Sequence, residues 1–142
     1  MAQKNATILL KENKIKLTKK RKGIMNVLET AKTPLSPAEI FLQIKQFLPK
    51  ANLTTVYRNL ELLEQKGLVK QFSFNKSSFY YELVSGRPHH HHLICTRCGR
   101  VEDSRILNEE FIDEVVKSSK FKIEDHRFEF FGLCRPCQGE AL

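Results

Sequence analysis

Four cysteines stand in two pairs, Cys95-Thr96-Arg97-Cys98 and Cys134-Arg135-Pro136-Cys137. A Cys-x-x-Cys spacing lets two thiolates bind one ion, and two such knuckles complete a tetrahedral sulfur site. Zinc prefers that site, and a small domain gains folding free energy by forming it. Gly99 follows the first pair, as a sharply turning knuckle requires. Two disulfides are the competing pattern, but they are disfavoured where thiols are kept reduced. A redox dithiol would need only one pair. The cysteines therefore point to structural Zn(II) on Cys95, Cys98, Cys134 and Cys137.

The second group able to do chemistry is His89-His90-His91-His92. It runs into Leu93-Ile94 and the first knuckle, so the run is expected to enter a strand. Side chains alternate across a strand, so His89 and His91 face one way and His90 and His92 the other. One run can thus serve two metal sites, each needing further ligands from elsewhere. Glu82, Asp103, Glu110 and His126 are the plausible partners. A loose surface histidine tract is the plainer alternative.

These residues must be positioned by the elements around them. Thr18 to Ala31 has apolar residues at helical spacing. Ser36-Pro37-Ala38-Glu39 has the pattern of a capping box with proline at the first helical position, and Ile40, Phe41, Ile44, Phe47 and Leu48 follow as a buried face. A third helix starts near Asn52 to Thr54, turns Val56, Leu60 and Leu63 inward and stops at Gly67. Strands are expected at Leu68 to Phe74 and Ser78 to Leu83, with a turn at Asn75-Lys76-Ser77. Three helices followed by a hairpin is the winged helix-turn-helix order. Ser85 to Pro88 is a breaker run. Beyond it come short strands near Leu93-Ile94 and Val101, a helix from Glu109 to Ser118 capped by Asn108, and a strand over Phe121 to Leu133. The expected class is α/β in the α+β sense, with residues 1–84, a hinge at 85–88, and a metal-binding part over 89–142.

Charge follows the same division. Residues 1–84 hold 15 Lys+Arg against 6 Asp+Glu, a balance of +9, while residues 85–142 hold 9 against 10, a balance of −1. All cysteines and histidines lie in the second part. A basic half without soft ligands suits phosphate contact. A solvated basic surface is the alternative. At 41% hydrophobic residues the 142-residue chain can build a core. No apolar run is long enough to span a membrane or form a signal peptide, so a cytoplasmic location is expected. Phosphate-loop and dinucleotide glycine patterns are absent. No cysteine is spare for a nucleophile, so the chain does not read as an enzyme.

Taken together, the sequence resembles the ferric uptake regulator family from about Lys16 to Cys137. Four segments carry the resemblance: Leu17-Thr18-Lys19-Lys20-Arg21, Thr54-Thr55-Val56-Tyr57-Arg58-Asn59-Leu60, His89 to Gly99, and His126 through Cys137. The resemblance implies a winged-helix N-terminal domain, an α/β dimerisation domain, and a homodimeric repressor that binds a pseudo-palindromic operator in double-stranded DNA when metal-loaded. It implies DNA contact by Lys16 in the minor groove, by Arg21, and by Thr54, Thr55, Tyr57 and Arg58 on the recognition helix. It implies structural zinc on the four cysteines, a sensing site of Glu82, His90, His92 and Asp103, and another site of His89, His91, Glu110 and His126. One departure is Pro34, which stands where many relatives place a sensing-site histidine.

The oxygen-and-nitrogen sensing set suits Fe(II), Zn(II) or Mn(II). Control of iron or zinc uptake is the leading expectation. Asp103 also resembles the peroxide-sensing branch of the family. Outside the resemblance, the competing classes are a zinc storage or carrier protein that does not bind DNA, and a zinc hydrolase. DNA binding with and without metal separates them.

Overall fold

The computed structural model describes residues 5–75, 77–84, 89–104 and 109–139. The expected hinge, Ser85 to Pro88, and the expected cap Asn108 lie outside the described residues. The chain divides into two compact units, Met1–Arg87 and Pro88–Leu142.

The first unit holds α1 (Ala6–Glu12), α2 (Lys19–Thr30), α3 (Pro37–Lys45), α4 (Leu53–Gln65), β1 (Val69–Asn75) and β2 (Ser78–Leu83). Each helix starts at a side chain that accepts a backbone N–H of its first turn: Asn5, Thr18, Ser36 and Asn52. At α3 the box is reciprocal. Ser36 Oγ accepts from the Glu39 N–H, and Glu39 Oε2 accepts from the Ser36 N–H at 2.7 Å. Leu10, Ile24, Met25, Leu28, Ile40, Ile44, Val56, Leu60 and Leu63 are fully buried in one core. Gly23 leaves room for the Phe47 ring just beyond α3, since a Cβ there would meet that ring at 3.0 Å.

The hairpin pairs Val69 with Leu83 and Lys70 with Glu82, and slips register between Ser73 and Asn75. Leu35 adds a bridge on the other side of β2, exchanging both backbone bonds with Tyr81 at 3.0 and 2.8 Å. This is the winged-helix arrangement. The helix α1 was not among the expected elements. Seven residues carry too little periodicity to announce a helix, yet Ala6, Leu9 and Leu10 bury one face.

The second unit holds β3 (His91–Cys95), β4 (Val101–Ser104), α5 (Glu109–Ser118), β5 (Glu129–Gly132) and α6 (Arg135–Gly139). The sheet order is β4-β3-β5, with β3 antiparallel to β4 and parallel to β5. The strand expected over Phe121 to Leu133 is corrected to Glu129–Gly132. Phe121 and Ile123 are at odd positions and Phe128 and Phe130 at even ones, so the alternation slips and a single strand cannot bury both pairs. The short helix α6 was also not expected. Pro136 fits its first turn, where a missing N–H costs nothing.

Apolar side chains remain exposed in this unit. Phe111, Val115 and Val116 on α5 are 46%, 39% and 45% exposed, and Phe130 and Phe131 on β5 are 54% and 55% exposed. Large apolar side chains left exposed in this number are a candidate contact surface for another protein.

Candidate metal centres and nucleic-acid interface

The four cysteines converge. Cys95 ends β3, and the chain turns back at Gly99, whose φ is 75°. The Cys95 N–H donates to the Arg100 carbonyl, and the Gly99 N–H to the Cys95 carbonyl, at 2.8 and 2.9 Å. Cys134 precedes α6 and Cys137 lies within it. Arg97 Nη1 donates to the Cys137 carbonyl at 2.7 Å, tying one knuckle to the other.

All four Sγ atoms lie within 4.8 Å of one another, and Cys98 Sγ stands 3.6 Å from Cys134 Sγ. That is too long for a disulfide. It is close to the edge of a tetrahedron with Zn–S bonds of ~2.3 Å, about 3.8 Å. The cluster is of the kind that holds zinc.

Its electrostatics agree. Backbone N–H groups of Cys134 and Cys98 point at the Cys95 sulfur and lower its pKa to about 6. Cys137 is pushed up to about 12, first by its hydrogen bond with Cys134 and then by burial. Four thiols this close cannot all ionise alone, whereas a dication would stabilise all four as thiolates.

The histidine run separates into two groups. The ligand nitrogens of His89, His91 and His126 lie within 4.8 Å of one another, with His89 Nε2 and His126 Nε2 at 2.8 Å. Phe128 packs edge-on to His91, 5.3 Å between ring centroids, and Phe111 of α5 packs on Phe128. Burial, and then the neighbouring imidazoles, hold the His91 pKa below its usual value. It therefore stays in the neutral form that ligates metal. Glu110 is exposed and borders an open hollow with Asp113, Glu114 and Lys117. It is not gathered with the three histidines.

His90 and His92 form the other group. Their rings are edge-on at 5.1 Å, and both Nε2 atoms stand 3.9 Å from Asp103 Oδ1. The sheet register explains this, since His92 is paired directly with Asp103 across β3 and β4. Glu82 belongs to the first unit, where it is buried on β2 opposite Lys70. Pro34 is buried beside the Leu35 bridge and offers no ligand.

In the first unit, α4 turns Val56, Asn59, Leu60 and Leu63 inward and leaves Thr54, Tyr57 and Arg58 exposed. Tyr57 is 49% exposed. Asn52 Oδ1 accepts from both the N–H and the hydroxyl of Thr55, so Thr55 is committed to the cap. Lys16 is exposed ahead of α2. Arg21 is engaged within the protein: Nε donates to Asn59 Oδ1 at 3.0 Å and Nη1 to the Lys16 carbonyl at 2.9 Å. Asn59 was not among the expected site residues. Its one sequence signal is a poor helix former on the inner face of a helix.

Among the described residues, no helix is long and apolar enough to cross a membrane.

Comparison with known proteins gives one family. Residues 12–131 match the model of the ferric uptake regulator family. The chain is 37% identical over 135 residues to the ferric uptake regulation protein of Bacillus subtilis (strain 168), covering 92% of this chain and 91% of that one. It is 27% identical over 135 residues to the peroxide operon regulator of the same organism, covering 94% and 92%. Among solved structures, the Helicobacter pylori ferric uptake regulator, described as having three functional metal-binding sites, superposes with a TM-score of 0.81 at 32% identity, covering 93% of this chain and 88% of that one. The chain belongs to the ferric uptake regulator family of metal-responsive transcription regulators.

Proposed function

We propose that this chain is a cytoplasmic repressor of metal-uptake genes, for iron or zinc, that binds a pseudo-palindromic operator as a homodimer when metal-loaded. The observation that carries the reading is the outward face of α4. Tyr57 and Arg58 are exposed on a well-capped helix in the half of the chain whose balance is +9. A storage or carrier protein has no use for that face. A second copy would cover the apolar surface of α5 and β5, and two-fold symmetry would then present two recognition helices to two half-sites.

Cys95, Cys98, Cys134 and Cys137 would hold structural zinc, which fits their four clustered sulfurs. Glu82, His90, His92 and Asp103 would form the sensing set, supported within the second unit by the two imidazoles that share Asp103. His89, His91 and His126, whose ligand nitrogens are already gathered, would form the other site. The donors of the sensing set are nitrogen and oxygen, so Fe(II), Zn(II) and Mn(II) all suit it. Identity to the ferric regulator exceeds that to the peroxide regulator, 37% against 27%, and favours uptake control over peroxide sensing.

The test pairs metal analysis of protein purified from its own cell with binding to the promoter of its own gene, with and without metal. Metal-stimulated retention of that duplex is expected. Equal retention of all duplexes, metal or none, would leave the storage reading standing. Loss of DNA binding on peroxide treatment of the iron-loaded protein would move the assignment to the peroxide branch.

A further inference from the structure

Asn59 sits on the inner face of α4, 9% exposed, among Val56, Leu60 and Leu63. Asparagine is a poor helix former, and its amide in a core must find partners. Both ends are used. Nδ2 donates to the Thr55 carbonyl one turn back at 2.8 Å, and Oδ1 accepts from Arg21 Nε at 3.0 Å. The same guanidinium reaches on, with Nη1 donating to the Lys16 carbonyl at 2.9 Å. One buried amide on α4 thus holds the backbone of the exposed segment before α2, through one planar guanidinium.

That segment and α4 are the two elements proposed to meet DNA, Lys16 in the minor groove and Tyr57-Arg58 on the recognition helix, which in helix-turn-helix proteins lies in the major groove. Neighbouring grooves are separated by a phosphate strand, so both readers engage only if the distance between them is held. We infer that Asn59 is a positioning residue for DNA binding, acting through Arg21 to keep the Lys16 segment in register with α4. This inference rests on the DNA-interface reading above. It also gives Arg21 a role other than direct DNA contact. The guanidinium fork makes two bonds at a fixed angle, which a lysine ammonium on a flexible stem cannot reproduce.

The test measures affinity of the full-length, Mn(II)-loaded protein for the duplex from its own promoter, over a range of salt. Asn59→Ala and Arg21→Lys should each weaken binding about tenfold and lower the salt slope by about one phosphate contact. Asn59→Asp keeps an acceptor for Arg21 Nε but loses the donor to the Thr55 carbonyl, so it should bind more tightly than Asn59→Ala and less tightly than wild type. In a Lys16→Ala background, the further loss from Asn59→Ala or Arg21→Lys should shrink below about threefold, since coupled residues are not additive. Arg21 is half-buried at the unit's surface, so Arg21→Lys carries the cycle if Asn59→Ala does not fold. Equal tenfold losses in both backgrounds, or an Arg21→Lys protein that binds like wild type, would overturn the inference and leave the DNA interface intact. A Lys16→Ala protein that binds as tightly as wild type would instead remove the interface reading, and the inference with it.

Discussion

Lys14 and Gly67 occupy the same position of the same helix-ending motif, both with positive φ, 55° and 70°. At the end of α1, the Lys14 N–H donates to the Lys11 carbonyl and the Ile15 N–H to the Leu10 carbonyl. At the end of α4, the Gly67 N–H donates to Glu64 and the Leu68 N–H to Leu63. In each, the residue after the turn packs on the core: Ile15 and Leu68 are both buried. This is the Schellman arrangement, whose left-handed position favours glycine.

The pair predicts two opposite effects. Lys14→Gly should stabilise the first unit by about 0.5–1 kcal/mol, because a side chain in the left-handed region is strained. Gly67→Ala should destabilise it by about 1 kcal/mol for the same reason. Urea melts of the two variants check both, and a Lys14→Gly protein less stable than wild type would count against the motif at α1.

The cysteine cluster makes a second prediction. Cys95→Ser or Cys134→Ser removes one ligand from a site whose metal binding is coupled to folding, at a cost on the order of several kcal/mol. The second unit should loosen and the dimer dissociate. Zinc content, melting and sedimentation are the measurements. A variant without zinc that stays dimeric with an unchanged melt would refute a structural role.

What could be read from the sequence divides by distance along the chain. The box at Ser36 and Glu39 is written in residues three apart, and the stop at Gly67 in a single residue. The knuckles are local too, so the four cysteines were legible together. The helix α1 depends on burying Leu9 and Leu10 against the rest of the core, which no local pattern states. Phe121 and Ile123 share one parity while Phe128 and Phe130 share the other, so the alternation is broken between them and β5 is confined to Glu129–Gly132. The bond from Arg21 to Asn59 joins positions 38 apart, so the sequence marked Arg21 by its motif and gave no reason to look at its partner.

A third prediction concerns specificity. Arg58 is exposed on α4, and a bidentate contact to a base edge is worth about 1–3 kcal/mol of discrimination. Arg58→Ala should lose about that much affinity and relax preference at one position of each half-site. Lys16→Ala should weaken binding to all duplexes more evenly. Competition between the operator and duplexes altered at single positions distinguishes the two. Identical affinities of wild type and Arg58→Ala across the set would sink α4 as the recognition helix.

The last prediction concerns the switch. Metal-stimulated repression requires that the DNA-competent arrangement of the units have the higher affinity for metal, since equal affinity in both arrangements shifts nothing. The proposed sensing set draws Glu82 from the first unit and His90, His92 and Asp103 from the second. A set with ligands in both units has leverage on their arrangement. His89, His91 and His126 belong to the second unit alone, closed in by Phe128, and have less. His90→Ala with His92→Ala should therefore abolish metal-stimulated DNA binding and leave the four-cysteine zinc and the dimer intact. His89→Ala with His91→Ala should reduce the stimulation without removing it. Pro34 supplies no further ligand from the first unit, so the coupling should be modest, about 1–3 kcal/mol, the usual range for linked sites. The measurement is DNA affinity against free Mn(II) for wild type and both double variants, with zinc content and sedimentation as controls. A full response in the His90/His92 variant, with none in the His89/His91 variant, would exchange the roles of the two groups.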